Sequence, residues 1–80
     1  MVEINTMEKI MINFIRRYYP ISRYKFKNRF KRGILFDDGH IYQISDKKEM
    51  NILYSKLINI LKIVFNLDSE TCKLVLKQVL

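Results

Sequence analysis

Residues 23–44 read RYKFKNRFKRGILFDDGHIYQI, and this stretch decides the fold of the 80-residue chain. From Arg23 to Lys31 a basic residue stands at every second position, which is the period of a half-buried β-strand. Asn28 interrupts the apolar half of this pattern. Two alternatives therefore stay open: one long strand, or two short strands with a turn near Lys27 and Asn28.

A β-hairpin is predicted next in the sequence. Gly33 indicates a bulge or a change of direction, because glycine within a strand pattern usually stands where a side chain would not fit. The sequence DDGH at residues 37–40 separates two apolar runs, and its Asp-Gly step favours a type I′ turn with positive φ at both central residues. Residues 41–44 form the return strand, with Tyr42 and Ile44 on one face.

An amphipathic helix precedes these strands, from about residue 6 to residue 19. Asn5 and Glu8 have the spacing of an N-terminal cap, and Pro20 ends the helix because the residue before a proline is pushed out of the helical region. Between the cap and the proline, apolar residues recur at steps of three and four, as on one face of a helix. They are Met7, Ile10, Met11, Phe14, Ile15 and Tyr18.

Two more helices are predicted after the strands. Asp46, with Glu49 three residues later, begins a long helix whose apolar surface is so wide that we expect burial on most of its sides. Asp68 or Ser69 begins a short last helix. Its apolar residues are Cys72, Val75, Leu76, Val79 and Leu80.

The predicted fold class is α+β, in one small basic domain over residues 1–80. It has an N-terminal helix, a small antiparallel hairpin or three-stranded sheet, and a long and a short C-terminal helix. We expect the apolar face of the sheet to lie on the helices. The outer face would then display a row of cations about 6.6 Å apart, twice the rise per residue of a strand.

Positive charge is concentrated in one segment. The chain has 15 basic and 8 acidic residues, a net charge of +7. Residues 16–32 contain eight basic residues and no acidic one, a charge of +8, which leaves −1 for the rest. A basic segment interleaved with aromatic residues is typical of a nucleic-acid-binding surface. The candidate nucleic-acid-binding residues are Arg16, Arg17, Arg23, Lys25, Lys27, Arg29, Lys31 and Arg32.

The aromatic residues of this segment divide into two groups. Alternation places Phe26 and Phe30 on the face opposite the cations, so we expect them in the core. Tyr18, Tyr19 and Tyr24 lie at the junction between helix and strand and are candidates for contact with a ligand.

No catalytic motif is present in the sequence. Asp37, Asp38 and His40 form the one cluster that could hold a metal or serve as acid and base, and we interpret it as turn chemistry. Cys72 has the helical spacing of a core residue and no cationic neighbour in sequence. We expect no enzyme, no catalytic residues, no metal and no cofactor.

The expected partner is a nucleic acid, DNA or RNA. The alternative is a protein-protein interaction module or inhibitor whose basic face docks on an acidic partner surface. Surplus apolar surface suggests a homodimer, and lysines interrupt every long apolar run, so we expect no membrane span. One cysteine and no visible secretory signal suggest the cytoplasm, and the lack of alanine suggests a low-GC bacterium, or its phage or plasmid.

Overall fold

The chain folds into an α+β arrangement with a helix, a three-stranded antiparallel sheet and two further helices, which confirms the predicted fold class. The computed structural model describes residues 6–80. The elements are α1 (Thr6–Tyr18), β1 (Ser22–Phe26), β2 (Arg29–Leu35), β3 (Ile41–Gln43), α2 (Lys47–Phe65) and α3 (Ser69–Val79). The predicted cap at Asn5 lies outside the described residues.

A two-residue turn divides the long basic stretch into two strands. Lys27 and Asn28 both have positive φ, 50° and 65°, as a type I′ turn requires. Asparagine tolerates this left-handed conformation better than most residues, so Asn28 suits the turn. The second of the two alternatives, two short strands, is therefore the one that the chain adopts.

The hairpin between β2 and β3 is confirmed, but its predicted turn type is wrong. Its loop has three residues, because the Phe36 amide donates to the His40 carbonyl at 3.0 Å and the Gly39 amide donates to the Phe36 carbonyl at 3.0 Å. Of the loop residues, Gly39 alone has positive φ, at 82°. A tight turn followed by one left-handed glycine is the usual three-residue solution.

Gly33 lies in regular pairing and forms neither a bulge nor a change of direction. It pairs with Ser22 on β1 and with Gln43 on β3. A Cβ atom at this position would lie 2.8 Å from a side-chain carbon of Tyr24 and 2.9 Å from the backbone oxygen of Tyr42. The glycine is therefore needed for the close approach of its neighbours on the central strand.

The core is formed by one face of each helix, by two residues of the sheet and by Tyr19, which follows α1. Ile34 and Tyr42 are cross-strand partners on β2 and β3 and face the helices. The buried helix residues are Met11 and Ile15 of α1, Met50, Leu53, Leu57 and Leu61 of α2, and Cys72, Val75 and Leu76 of α3. This packing confirms the expected position of Cys72.

The prediction that α2 is buried on most sides is wrong. Only β3 and α3 pack extensively against α2, so one side of it is covered. Ile52, Ile63 and Val64 are exposed, Ile63 by 82%. In residues 6–80 no single helix is long and apolar enough to span a membrane, although α2 and α3 together, bent by 118°, pass that test by length and composition.

The N-terminal caps of both C-terminal helices are confirmed. The Glu49 amide donates to Asp46 Oδ1 at 3.2 Å, so Asp46 caps α2. Of the two predicted caps for α3, Asp68 is the one used, because it accepts from the Thr71 amide and from the Thr71 hydroxyl. These contacts hold the pKa of Asp68 below its usual range, the hydroxyl hydrogen bond being the largest cause.

Candidate nucleic-acid interface

The basic strands form a two-stranded extension of the sheet, which we call the hairpin arm and define as residues 23–32. β3 pairs with β2 over residues 33–35, and the chain after it reaches the arm only at its base, where the Ile44 amide donates to the Arg32 carbonyl at 3.1 Å. No helix packs extensively against β1, and no side chain of the arm is buried. Four paired rungs and the turn give it a length of about 13 Å at about 3.3 Å per residue.

The cations of the arm lie on both of its faces, so the prediction of a single row on the outer face is wrong. Cross-strand partners share a face, and Arg23 pairs with Arg32 while Lys25 pairs with Phe30. These two pairs lie on the inner face of the arm, the face that continues into the core at Ile34. Because the two-residue turn reverses the chain, odd positions of β1 share a face with even positions of β2.

The outer face carries the other half of the arm. Tyr24 pairs with Lys31, and Phe26 pairs with Arg29. Lys27 lies in the turn between the strands. Each face of the arm therefore combines cations with one phenylalanine, Phe30 on the inner face and Phe26 on the outer face.

Both phenylalanines are exposed, so their predicted place in the core is wrong. Phe30 is 67% exposed and Phe26 is 45% exposed, because the arm extends past the elements that form the core. Arg23 lies over the Phe30 ring at 5.0 Å, and the ammonium groups of Lys27 and Lys31 lie 5.4 Å from the Phe26 ring. Cations near an aromatic face are attracted by the ring electrons.

None of the eight candidate cations forms an ion pair within residues 6–80. The ion pairs of this part of the chain join His40 to Glu49, Lys56 to Asp38, and Lys73 to Glu70. The one side-chain hydrogen bond of an arm cation runs from Lys31 to Gln43 at 3.5 Å. The positive charge of the arm is therefore not neutralised by these carboxylates.

The two arginines of α1 lie apart from the arm in their packing. Arg16 lines hollows with Gln78 and Val79 of the last helix, and Arg17 lies over the Tyr18 ring at 5.7 Å. Both arginines are exposed. They are thus available to a ligand from a different element than the six cations of the arm.

The three candidate tyrosines have different environments. Tyr18 is 58% exposed and Tyr24 is half-buried on the outer face. Tyr19 is buried, and its hydroxyl donates to Asp37 Oδ2 at 2.8 Å. Burial, reinforced by the Asp37 carboxylate, raises the pKa of Tyr19 to about 12. Tyr19 is therefore a structural residue rather than a contact residue.

The cluster in the β2–β3 loop serves the fold. Asp38 accepts from the His40 amide at 2.9 Å and from the Tyr42 hydroxyl at 3.1 Å, and chiefly the first of these lowers the pKa of Asp38. His40 lies 2.9 Å from Glu49, whose other oxygen accepts from the Gln43 amide at 2.6 Å. Within residues 6–80 no group of three His, Cys, Asp or Glu side chains could hold a metal ion.

Cys72 is fully buried, and this burial raises the pKa of its thiol. A thiol held in its protonated form is a poor nucleophile. The cysteine therefore contributes packing between α3 and the rest of the core.

The prediction that both phenylalanines lie in the core assumed unbroken alternation along one strand, although the sequence left a second alternative open. Asn28 was the available signal. A turn there, followed through the register, places Phe26 and Phe30 on opposite faces among the cations. Comparisons of the chain with protein-family models, with curated proteins and with solved structures found no match.

Proposed function

We propose that this protein is a small non-enzymatic nucleic-acid-binding protein, a regulator or accessory factor, that holds phosphates with its hairpin arm. The observation that carries the proposal is the arm's six cations, which have no acidic partner within residues 6–80. They are Arg23, Lys25, Lys27, Arg29, Lys31 and Arg32. Lys31 is half-buried and the other five are exposed.

A phosphate backbone supplies the negatively charged partner that these side chains lack. Cations that neutralise phosphates release condensed counterions, and this release provides affinity with little dependence on sequence. Arg16 and Arg17 would extend the contact from α1. Lysine and arginine also suit an acidic protein surface, but the two exposed phenylalanines among the cations favour a ligand that has bases as well as charge.

The test is the binding of labelled single- and double-stranded DNA and RNA of random sequence, measured across a salt series. We expect log affinity to fall linearly with log salt, by about 0.7 to 0.9 for each phosphate neutralised. The double variant Lys27→Glu with Arg29→Glu should remove most binding at moderate salt.

The matched control is Lys48→Glu with Lys62→Glu, which makes the same change of net charge at two exposed positions of α2. We expect this control to keep most of the binding. An affinity that does not change with salt would contradict the proposal. Equal losses in the two double variants would show that net charge, and not the arm, determines binding.

A second proposal is that the chain forms a homodimer, and the exposed apolar side chains of the C-terminal helices favour it. Ile52, Ile63 and Val64 of α2 and Leu74 of α3 are each more than half exposed. Association would remove this apolar surface from water, which is a favourable process. Molecular mass, measured in the buffers of the binding experiment, should be that of two chains, and a monomeric mass would contradict this proposal.

A further inference from the structure

We propose that the hairpin arm binds unpaired nucleobases by stacking them on Phe26 and Phe30, so that its ligand is single-stranded nucleic acid. This inference rests on the proposed function and narrows it. The first reason is the exposure of the two rings, 45% and 67%, in a part of the molecule that no helix covers extensively. An exposed aromatic ring beside cations is the arrangement on which proteins that bind single strands stack bases.

The second reason is that a cation lies over each of the two rings. Arg23 lies 5.0 Å from the centre of the Phe30 ring, and Lys31 lies 5.4 Å from that of Phe26. A nucleotide carries a flat base and a charged phosphate on one sugar. A ring that stacks on the base and a nearby cation that contacts the phosphate together match this unit.

The third reason is the difference between unpaired and paired bases. In a duplex the faces of the bases are covered by their neighbours, and only their edges are presented in the grooves. Phe26 and Phe30 lie on the broad faces of the arm, where they can stack only on a base that has left the helix. A duplex would therefore use the cations of the arm and leave both rings unused.

The strand register places the two stacking positions on opposite faces of the arm. Phe30 shares the inner face with Lys25, and Phe26 shares the outer face with Arg29. One base can thus be held on each side of the arm, each with cations on its own side. Loss of one ring should leave the other position functional, so the two single variants should have similar and independent effects.

The absence of tryptophan from the chain makes a direct test possible. Phe30→Trp introduces a single indole on the inner face of the arm. We expect its fluorescence to be quenched when a single-stranded oligothymidylate is added, because stacking on a base quenches indole. The control is Asn51→Trp, which places the indole at an exposed position of α2 outside the apolar side chains of the proposed dimer, and its fluorescence should not change.

Affinity provides the second readout. Phe26→Leu and Phe30→Leu, which keep an apolar side chain and remove the ring, should each weaken binding of the single strand about tenfold, the usual size for one stacked base. Binding of the matched duplex and the slope of log affinity against log salt should stay as in the unmodified protein.

The outcomes separate this inference from the proposed function. Salt-dependent binding of both forms with equal affinity, without quenching of the new indole, would overturn stacking and leave phosphate binding in place. Binding of neither form at low salt would overturn both. Quenching by the single strand, together with the tenfold losses, would support both.

Discussion

The hairpin arm and the rest of the described chain, which we call the body, differ in how their charged groups find partners. In the body, carboxylates take part in the fold: Asp37 holds Tyr19, Asp38 holds Tyr42, and Glu49 holds both His40 and the Gln43 amide. In the arm there is no carboxylate at all. Most acidic side chains of the body are thus bonded within it, whereas no cation of the arm is paired with a carboxylate of residues 6–80.

The two regions also differ in their apolar side chains. Leu57 in the body is fully buried, and Phe30 in the arm is 67% exposed. Apolar residues of the body contribute to stability, because burial removes their surface from water. An exposed side chain contributes little to stability and is accessible to other molecules. The buried core thus lies in the body, whereas no side chain of the arm is buried.

The largest expected effect separates the two regions directly. Leu57→Ala should lower the free energy of unfolding by about 2–5 kcal/mol, because it leaves a cavity in the core. Phe30→Ala should lower it by less than about 1 kcal/mol, since only an exposed contact with Arg23 is lost. Urea unfolding at one fixed protein concentration measures both. Similar losses would show that the arm is packed as part of the core.

A smaller effect is expected at Gly33, where the arm meets the body. Gly33→Ala should lower the free energy of unfolding by about 1–3 kcal/mol, because the new methyl group would crowd the backbone oxygen of Tyr42. Its cross-strand partner supplies the control, and Ser22→Ala should change stability by less than about 0.5 kcal/mol. Urea unfolding is again the measurement. If Gly33→Ala left the free energy of unfolding unchanged, the neighbouring strand would have to move enough to make room for the methyl group.

The smallest effect at neutral pH concerns a buried hydroxyl of the body. Tyr19→Phe should lower the free energy of unfolding by about 1 kcal/mol, through loss of the hydrogen bond to Asp37. The pKa of Tyr19 is raised to about 12 in the folded state. Its contribution is therefore fully present below the unfolded value of about 10 and is lost as pH rises towards 12.

Melting temperatures between pH 9 and about pH 12 test this predicted loss of stability at alkaline pH. The unmodified protein should lose stability over this range, and Tyr19→Phe should lose less of it. Tyr18→Phe is the matched control, because it removes the hydroxyl of an exposed neighbouring tyrosine, and its decline should equal that of the unmodified protein. An identical decline in the unmodified protein and in Tyr19→Phe would exclude Tyr19 as a cause.

Local chain chemistry was enough to predict the end of the first helix and the capping residues of the other two. Pro20 ends α1, Asp46 begins α2 and Asp68 begins α3, because a proline or a capping carboxylate acts on its own neighbours in sequence. The hairpin around Gly39 was predictable for the same reason. Its exact turn type was not, because the three-residue loop depends on how β2 and β3 pair.

The arm was predictable in composition and not in geometry. Alternation from Arg23 to Lys31 indicates strand in either alternative, and one turn decides which face each residue takes. The position of Phe26 and Phe30 depended on a further fact, that no helix packs extensively against β1. The sequence has no local signal for the reach of a distant helix.

The sequence by itself determined the order of helices and sheet, the end of α1, the capping of α2 and α3, the α+β class and the concentration of positive charge, since each of these depends on residues close together in the chain. Tertiary structure alone decided that the cations lie on both faces of an arm, that Phe26 and Phe30 are exposed and that one side of α2 is uncovered. These features depend on strand register and on which elements reach one another, and both are set by packing between residues distant in sequence.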